Sequence, residues 1–341
     1  MAMNHGPSPE NHSRRGSGPR IALVLGSGGM AGTAFHAGVI DALHEATGWD
    51  ARTASLIIGT SAGSTSGALV RAGIPPEDFV PHMNGEPVSE VTTRILTKSR
   101  QASGQRGTTT QVPSQKASWS PKPAAAHLVG KAIRDPRSVR PLTALAGLLP
   151  VGATTTTDIS RSFDAMHPYL WPRADLWICA SQLSTGQRVV FGRDDIKATV
   201  GQAVAASCAI PGYFEPVSID GKKYVDGGVY SFNNLDLVTN EGFDLVIVSA
   251  PMSTADFGSP RGDLPLRAGA RHQLQREIVA VRASGTPVIA LEPTAADRRA
   301  MGYRPMDPSR RGSIAITVKA SALTSLLTRP RDLLQILRTN T

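Results

Sequence analysis

Twice in its first 73 residues the chain runs from an apolar stretch into a glycine-rich turn and then into a helical pattern. The first apolar stretch, Ile21 to Leu25 (IALVL), is short and bounded by glycine, as a buried strand is. GSGGMAG follows, and then TAFHAGVIDALHEATG places Phe35, Val39, Ala42, Leu43 and Ala46 at helical spacing, with Gly48 as the stop signal. The second strand, SLIIG, enters a sharp turn, and AGSTSGALVRAG reads as a helix of small residues ending at Gly73. Strand, helix, strand, helix predicts a parallel sheet with helices on both faces.

The same pattern returns later. ADLWICASQLSTGQRVVFG reads as two strands joined around Ser184–Gly186, and IKATVGQAVAASCAIPGYFEPV as a helix that breaks at Pro211. KKYVDGG is a short strand ending in Asp-Gly-Gly. FDLVIVSAP and TPVIALEP are continuous apolar runs, which suits strands buried on both faces. LPLRAGARHQLQREIVAVRASG lies between them as a helix, and ALTSLLTRPRDLLQIL closes the chain as an amphipathic helical tail. We expect one main α/β domain over 21–315, a disordered tail over 1–20 and a helical tail over 316–341.

The stretch 84–158 interrupts this order. It is polar and low in large apolar residues apart from two short helical candidates, AAAHLVGKAIR and PLTALAGLLP. Between Arg94 and Arg140 there are ten Lys or Arg and one acid, Asp135, so this segment accounts for the net charge of +9. We expect a low-order or lid-like insertion that touches an anionic membrane surface through 94–140. Nucleic acid is not expected as a partner, because no aromatic residue beyond Trp119 interleaves the charges.

No apolar run reaches the 18 residues a spanning helix needs, and the polar start of the chain has no signal-peptide core. Two cysteines, Cys179 and Cys208, offer neither a disulfide framework nor metal-ligand spacing. The expected setting is cytoplasmic, on or off the inner membrane face. No cofactor or metal is called for, and the oligomeric state is not legible.

Three short motifs carry chemistry. Gly59-Thr60-Ser61-Ala62-Gly63 puts one serine on a strand-to-helix turn, where it is either a plain tight turn or an exposed nucleophile. Gly26-Ser27-Gly28-Gly29-Met30-Ala31-Gly32 sits at the equivalent place on the first strand. It reads as a dinucleotide fingerprint, or as an oxyanion hole built from the N–H groups of Gly28, Gly29 and Met30. The dinucleotide reading wants an acid at the end of the second strand, where the chain has Ser61. A serine nucleophile needs a base. Of eight histidines only His272 follows position 167, and it falls in an amphipathic helix as a surface residue. Asp226, in YVDGG, is either the base or an ordinary Asp-Gly turn. Asp220 and Asp244 read as turn residues beside strands, and Cys208 as a core thiol.

Together these stretches resemble the bacterial patatin-like phospholipases. GSGGMAGTAFHAGVI is similar to their oxyanion loop, GTSAG to their nucleophile elbow, and DGG, Asp226-Gly227-Gly228, to the motif of the second catalytic carboxylate. ASCAIPGYFEPV and LEPTAADRRAMGYRPMDPSRR resemble flanking parts of the same domain. The likeness covers about 21–83 and 159–312. It implies a three-layer α/β fold and a Ser61–Asp226 dyad that cleaves lipid carboxyl esters. In that reading Gly26, Gly32, Gly59, Gly63, Gly227 and Gly228 are motif positions. Ala31 stands where many members carry Arg or Lys, so the alternative is a catalytically weak protein that binds lipid or a membrane surface.

Overall fold

The structure is a computed structural model that describes residues 18–104, 123–135, 140–254 and 264–339. Most of the expected tail 1–20 and the centre of the basic insertion, 105–122, lie outside the described residues.

Strand β1 (Ile21–Leu25) leads into helix α1 (Gly29–Thr47), β2 (Leu56–Thr60) into α2 (Ala62–Arg71). α3 (Phe79–Asn84), α4 (Glu90–Ser103), α5 (His127–Arg134), α6 (Pro141–Ala146) and α7 (Thr157–Met166) follow. β3 (Asp175–Gln182) and β4 (Arg188–Phe191) form a hairpin, then come α8 (Val200–Ser207), β5 (Val217–Ile219) and β6 (Lys222–Asp226). β7 (Leu245–Ser249), α9 (Leu264–Ala283), β8 (Val288–Leu291), α10 (Ala295–Met301), α11 (Arg311–Leu327) and α12 (Arg331–Arg338) complete the chain.

The strands form one mixed sheet, ordered β5-β6-β3-β2-β1-β7-β8, with β4 also paired to β3. From β3 through β2, β1 and β7 to β8 the pairings are parallel; β4 and β6 on β3, and β5 on β6, are antiparallel. Alternate residues of the central strands feed two separate cores. Ile21, Leu23 and Leu25 pack with Phe35, Val39 and Leu43 of α1 and with Ile314 and Val318 of α11. Ala22 and Val24 pack instead with Leu274, Ile278 and Val281 of α9. Both faces are covered, so the expected three-layer α/β fold with a mostly parallel central sheet is present. Among the described residues no helix is long and apolar enough to cross a membrane.

Several expectations change. The helix expected to run to Pro211 ends at Ser207, with Cys208 as its cap. Within the segment 84–158, read as low in order, the two short helical candidates form α5 and α6, and α4, where no helix was expected, adds a third. α4 is built on Asp78, which accepts hydrogen bonds from Ser89 and Thr92, while Ser89 caps the helix. α11 is continuous across the expected boundary at 315/316. It packs along α1 so closely that a Cβ at Gly38 would lie 2.6 Å from the Ala315 carbonyl oxygen. Lys319 then reaches Asp41 at 2.9 Å and Glu45 at 2.8 Å.

Candidate active site

β3 organises the site. Thr60, the last residue of β2, pairs with Cys179, and Asp226, the last residue of β6, pairs with the next residue, Ala180. β2 runs parallel to β3 and β6 antiparallel, so the carboxyl ends of both strands arrive at adjacent rungs. A Cβ on Gly227 would come within 3.1 Å of the Thr60 methyl group. This convergence leaves Ser61 beside Asp226, where the Ser61 hydroxyl acts to lower the pKa of the Asp226 carboxyl.

Ser61 has φ 52° and ψ −116°, a backbone that L residues rarely adopt. Strain of this kind costs on the order of 1–3 kcal/mol and persists where surrounding structure enforces it. The enforcement is visible. The Ser61 N–H donates to Ser207 Oγ at 2.8 Å, and that hydroxyl donates to the Cys179 carbonyl at 2.7 Å. The Ser61 carbonyl accepts from Ser64 Oγ at 2.7 Å and from Cys208 Sγ at 3.5 Å. The flanking glycines are required by contact. A Cβ at Gly63 would sit 1.9 Å from the Leu25 carbonyl oxygen, and one at Gly59 would sit 2.6 Å from that of Gly63.

Asp226 is buried, and its carboxyl accepts from the Gly228 N–H at 2.7 Å. Burial raises its pKa to about 6, against the lowering effect of the Ser61 and Gly228 hydrogen bonds.

The glycine-rich loop closes the third side. Gly63 N–H donates to the Gly26 carbonyl at 3.1 Å, which ties loop to elbow. Buried His36 donates from Nε2 to the same carbonyl at 2.8 Å and so accepts at Nδ1 from Ser249 Oγ, also at 2.8 Å. Burial lowers the His36 pKa to about 4, which keeps the ring in this neutral form. Gly28 caps α1 without a side-chain hydrogen bond, and Gly29 follows with φ 60°. Ala31 N–H is taken by the Pro305 carbonyl and Gly32 N–H by that of Gly28. Among the described residues the N–H groups of Gly28, Gly29 and Met30 have no acceptor.

Ser61, Gly29 and Met30 open onto a cavity of about 240 Å³. Its apolar wall includes Leu69, Met83, Leu96, Phe163, Met166 and Phe214.

The other candidates fall elsewhere. His272 is exposed on α9, against the opposite face of the sheet. Asp220, with φ 48°, and Gly221 form the β5–β6 hairpin turn, and Asp244 accepts from the Arg20 N–H at 2.7 Å. Cys208 is half-buried and lines the cavity, and burial pushes its thiol up to about 12. Residue patterns did not single out Ser207, His36, α4 or α7. Ser207 lies inside the resemblance stretch starting at Ala206, and His36 inside the one starting at Gly26, and these were the available signals.

The patatin-like phospholipase family signature matches residues 23–239, more than half of the chain, and the chain belongs to that family. Uncharacterised NTE family proteins of Mycobacterium tuberculosis and Mycobacterium bovis are 30% identical to it over 260 residues. The match covers 76% of this chain and 56% of each relative, so the chain spans little more than half of their length. VipD of Legionella pneumophila aligns with 93% of this chain and 67% of its own, at a TM-score of 0.38 and 12% identity.

Proposed function

We propose that the protein is a serine acyl-hydrolase of lipid carboxyl esters, working through a Ser61–Asp226 dyad. The observation that carries this is a strained, cavity-facing serine that the β3 register sets beside a buried carboxyl, whose pKa burial raises to about 6. A base with that pKa is ionised at neutral pH and close enough to it to exchange protons readily. Asp226 takes the Ser61 hydroxyl proton as Oγ attacks the ester carbonyl carbon. The carbonyl oxygen becomes negative and meets the N–H groups of Gly28, Gly29 and Met30 at the positive end of α1. Asp226 then returns its proton to the departing alcohol, leaving an acyl group on Ser61. Water loses a proton to Asp226 and attacks the acyl carbon; the bond to Ser61 Oγ breaks, Asp226 returns the proton to that oxygen, and the acid is released. The apolar cavity wall suits an acyl chain.

A panel of phospholipids, acylglycerols and p-nitrophenyl esters, with wild type beside Ser61→Ala, tests this. The expected result is hydrolysis by wild type alone. Equal turnover by both proteins contradicts the dyad, and lipid binding without turnover fits the binding-protein alternative.

We also propose peripheral contact between segment 94–140 and an anionic membrane. Arg94, Lys98 and Arg134 are exposed, and Leu145, Leu148 and Leu149 stand 62%, 47% and 44% exposed just beyond the segment. Each basic residue near an anionic surface contributes about 1 kcal/mol. Changing all three basic residues to Glu should release the protein from anionic vesicles at low salt. Undiminished sedimentation with the vesicles contradicts the contact.

A further inference from the structure

The cavity beside Ser61 has an apolar wall, yet one end of it is cationic. α4 turns Leu96, Ser99, Arg100 and Ser103 toward the cavity, at the i, i+3, i+4, i+7 spacing of one helix face. Arg311, the first residue of α11, lines the cavity too, as does His82 of α3. Neither Arg100 nor Arg311 has an ion pair or side-chain hydrogen bond among the described residues. The neighbouring Arg310, by contrast, lies 3.9 Å from Asp307. Burial first, then the positive charges of Arg311 and Arg100, push the His82 imidazole down to about 4, so it stays neutral. Ser99 and Ser103 add hydroxyl groups on the same helix face.

Arg100 is exposed and Arg311 half-buried, so both guanidiniums are open to a ligand at the rim of the apolar cavity, and their planar forks match phosphate oxygens. We propose that Arg100 and Arg311 form a subsite for the phosphate group of an amphiphile, whose apolar part occupies the rest of the cavity. This rests on the lipid-ester reading of Ser61 and narrows it: the favoured substrate carries a phosphate, and a neutral glyceride of the same chain length is disfavoured. The pair lies outside the three catalytic motifs, so it sets selectivity without taking part in bond cleavage.

Binding and turnover test this separately. Titration calorimetry of the full chain with decyl phosphate, which has no carboxyl ester, reads the subsite directly. The expected result is binding that weakens at least tenfold in Arg100→Gln/Arg311→Gln and recovers in part in Arg100→Lys/Arg311→Lys. Undiminished binding in the Gln pair overturns the proposal. Inorganic phosphate binding as tightly as decyl phosphate overturns the amphiphile. Decanoate binding as tightly overturns the phosphate. The kinetic arm compares 1-acyl-glycerol 3-phosphate with the matching 1-acyl-glycerol. The phosphate-to-neutral ratio of kcat/KM should exceed ten in wild type and fall at least tenfold in the Gln pair. Hydrolysis without such a ratio overturns the subsite and leaves the hydrolase reading standing. Decyl phosphate binding by a wild type that cleaves no ester has the reverse meaning.

Discussion

Thr60 and Asp226 pair with neighbouring residues of one strand, Cys179 and Ala180. The first pairing is parallel and the second antiparallel, so two strands far apart in sequence end facing one another. The next residue after Thr60 is the candidate nucleophile, and the last residue of the other strand is the candidate base. Sheet register therefore brings the two candidate positions side by side. A Ser207 hydroxyl shared between the Ser61 N–H and the Cys179 carbonyl fixes the junction.

Ser61→Ala should lower turnover by about 10⁶, the usual cost of losing a serine nucleophile. Ser61→Gly should be equally inactive but more stable than Ser61→Ala. Glycine relieves the positive φ at this elbow, a gain partly offset by its greater freedom when unfolded, leaving about 1 kcal/mol. Urea unfolding of the two variants measures the difference. Equal stability would mean that the elbow stores no strain. His272→Ala, on the far side of the sheet, should retain full activity.

Asp226→Asn should abolish turnover and stabilise the protein at pH 8. The folded-state pKa of about 6 lies above the ordinary 3.8, so the folded protein holds this proton more tightly than the unfolded chain does. Ionisation therefore costs stability progressively as pH rises from about 4 to 6, reaching about 3 kcal/mol above that range. Asparagine carries no charge and avoids that cost. The advantage should vanish at pH 4, where Asp226 is protonated. In wild type the same proton should set kcat/KM, which should rise with pH through an apparent pKa near 6. A variant less stable than wild type at pH 8 would contradict the burial argument.

Gly29→Ala should lower kcat at least tenfold with KM changed by less than about threefold. A Cβ here would lie 3.0 Å from Met306 Sδ and from the Pro305 carbonyl oxygen, on a residue at φ 60°. The start of α1 must shift to admit it, and the N–H donors shift with it. Complete loss of one such donor costs roughly 2.7–4 kcal/mol of transition-state stabilisation. An unchanged kcat would give the loop a packing role only.

The sheet was legible because its strands are buried on both faces, which makes IALVL, LVIVS and VIAL plain in the sequence. The elbow was legible because Gly59 and Gly63 flank one serine between an apolar strand and a helical run; contact with Gly63 and Ser64 dictates Gly59, and the Leu25 carbonyl of the neighbouring strand dictates Gly63. Asp226 was harder, since an Asp-Gly turn looks the same without the β3 register, and the resemblance supplied it. α4 was not legible. Only Thr92 and Leu96 are buried within it, because its inner face borders a cavity and not a core, so it lacks an apolar stripe. Ser207 bonds backbone groups distant in sequence, and His36 bonds the Gly26 carbonyl and the distant Ser249 hydroxyl; nothing local marks such partners.

The most direct measurement is labelling with a fluorophosphonate, which reacts only with an activated serine, followed by peptide mapping at pH 5 and pH 8. The dyad predicts one adduct, on Ser61, forming much faster at pH 8 than at pH 5, and none in Asp226→Asn over the same time. A wild type that takes no label at Ser61, or an Asp226→Asn variant labelled as fast as wild type, would contradict it.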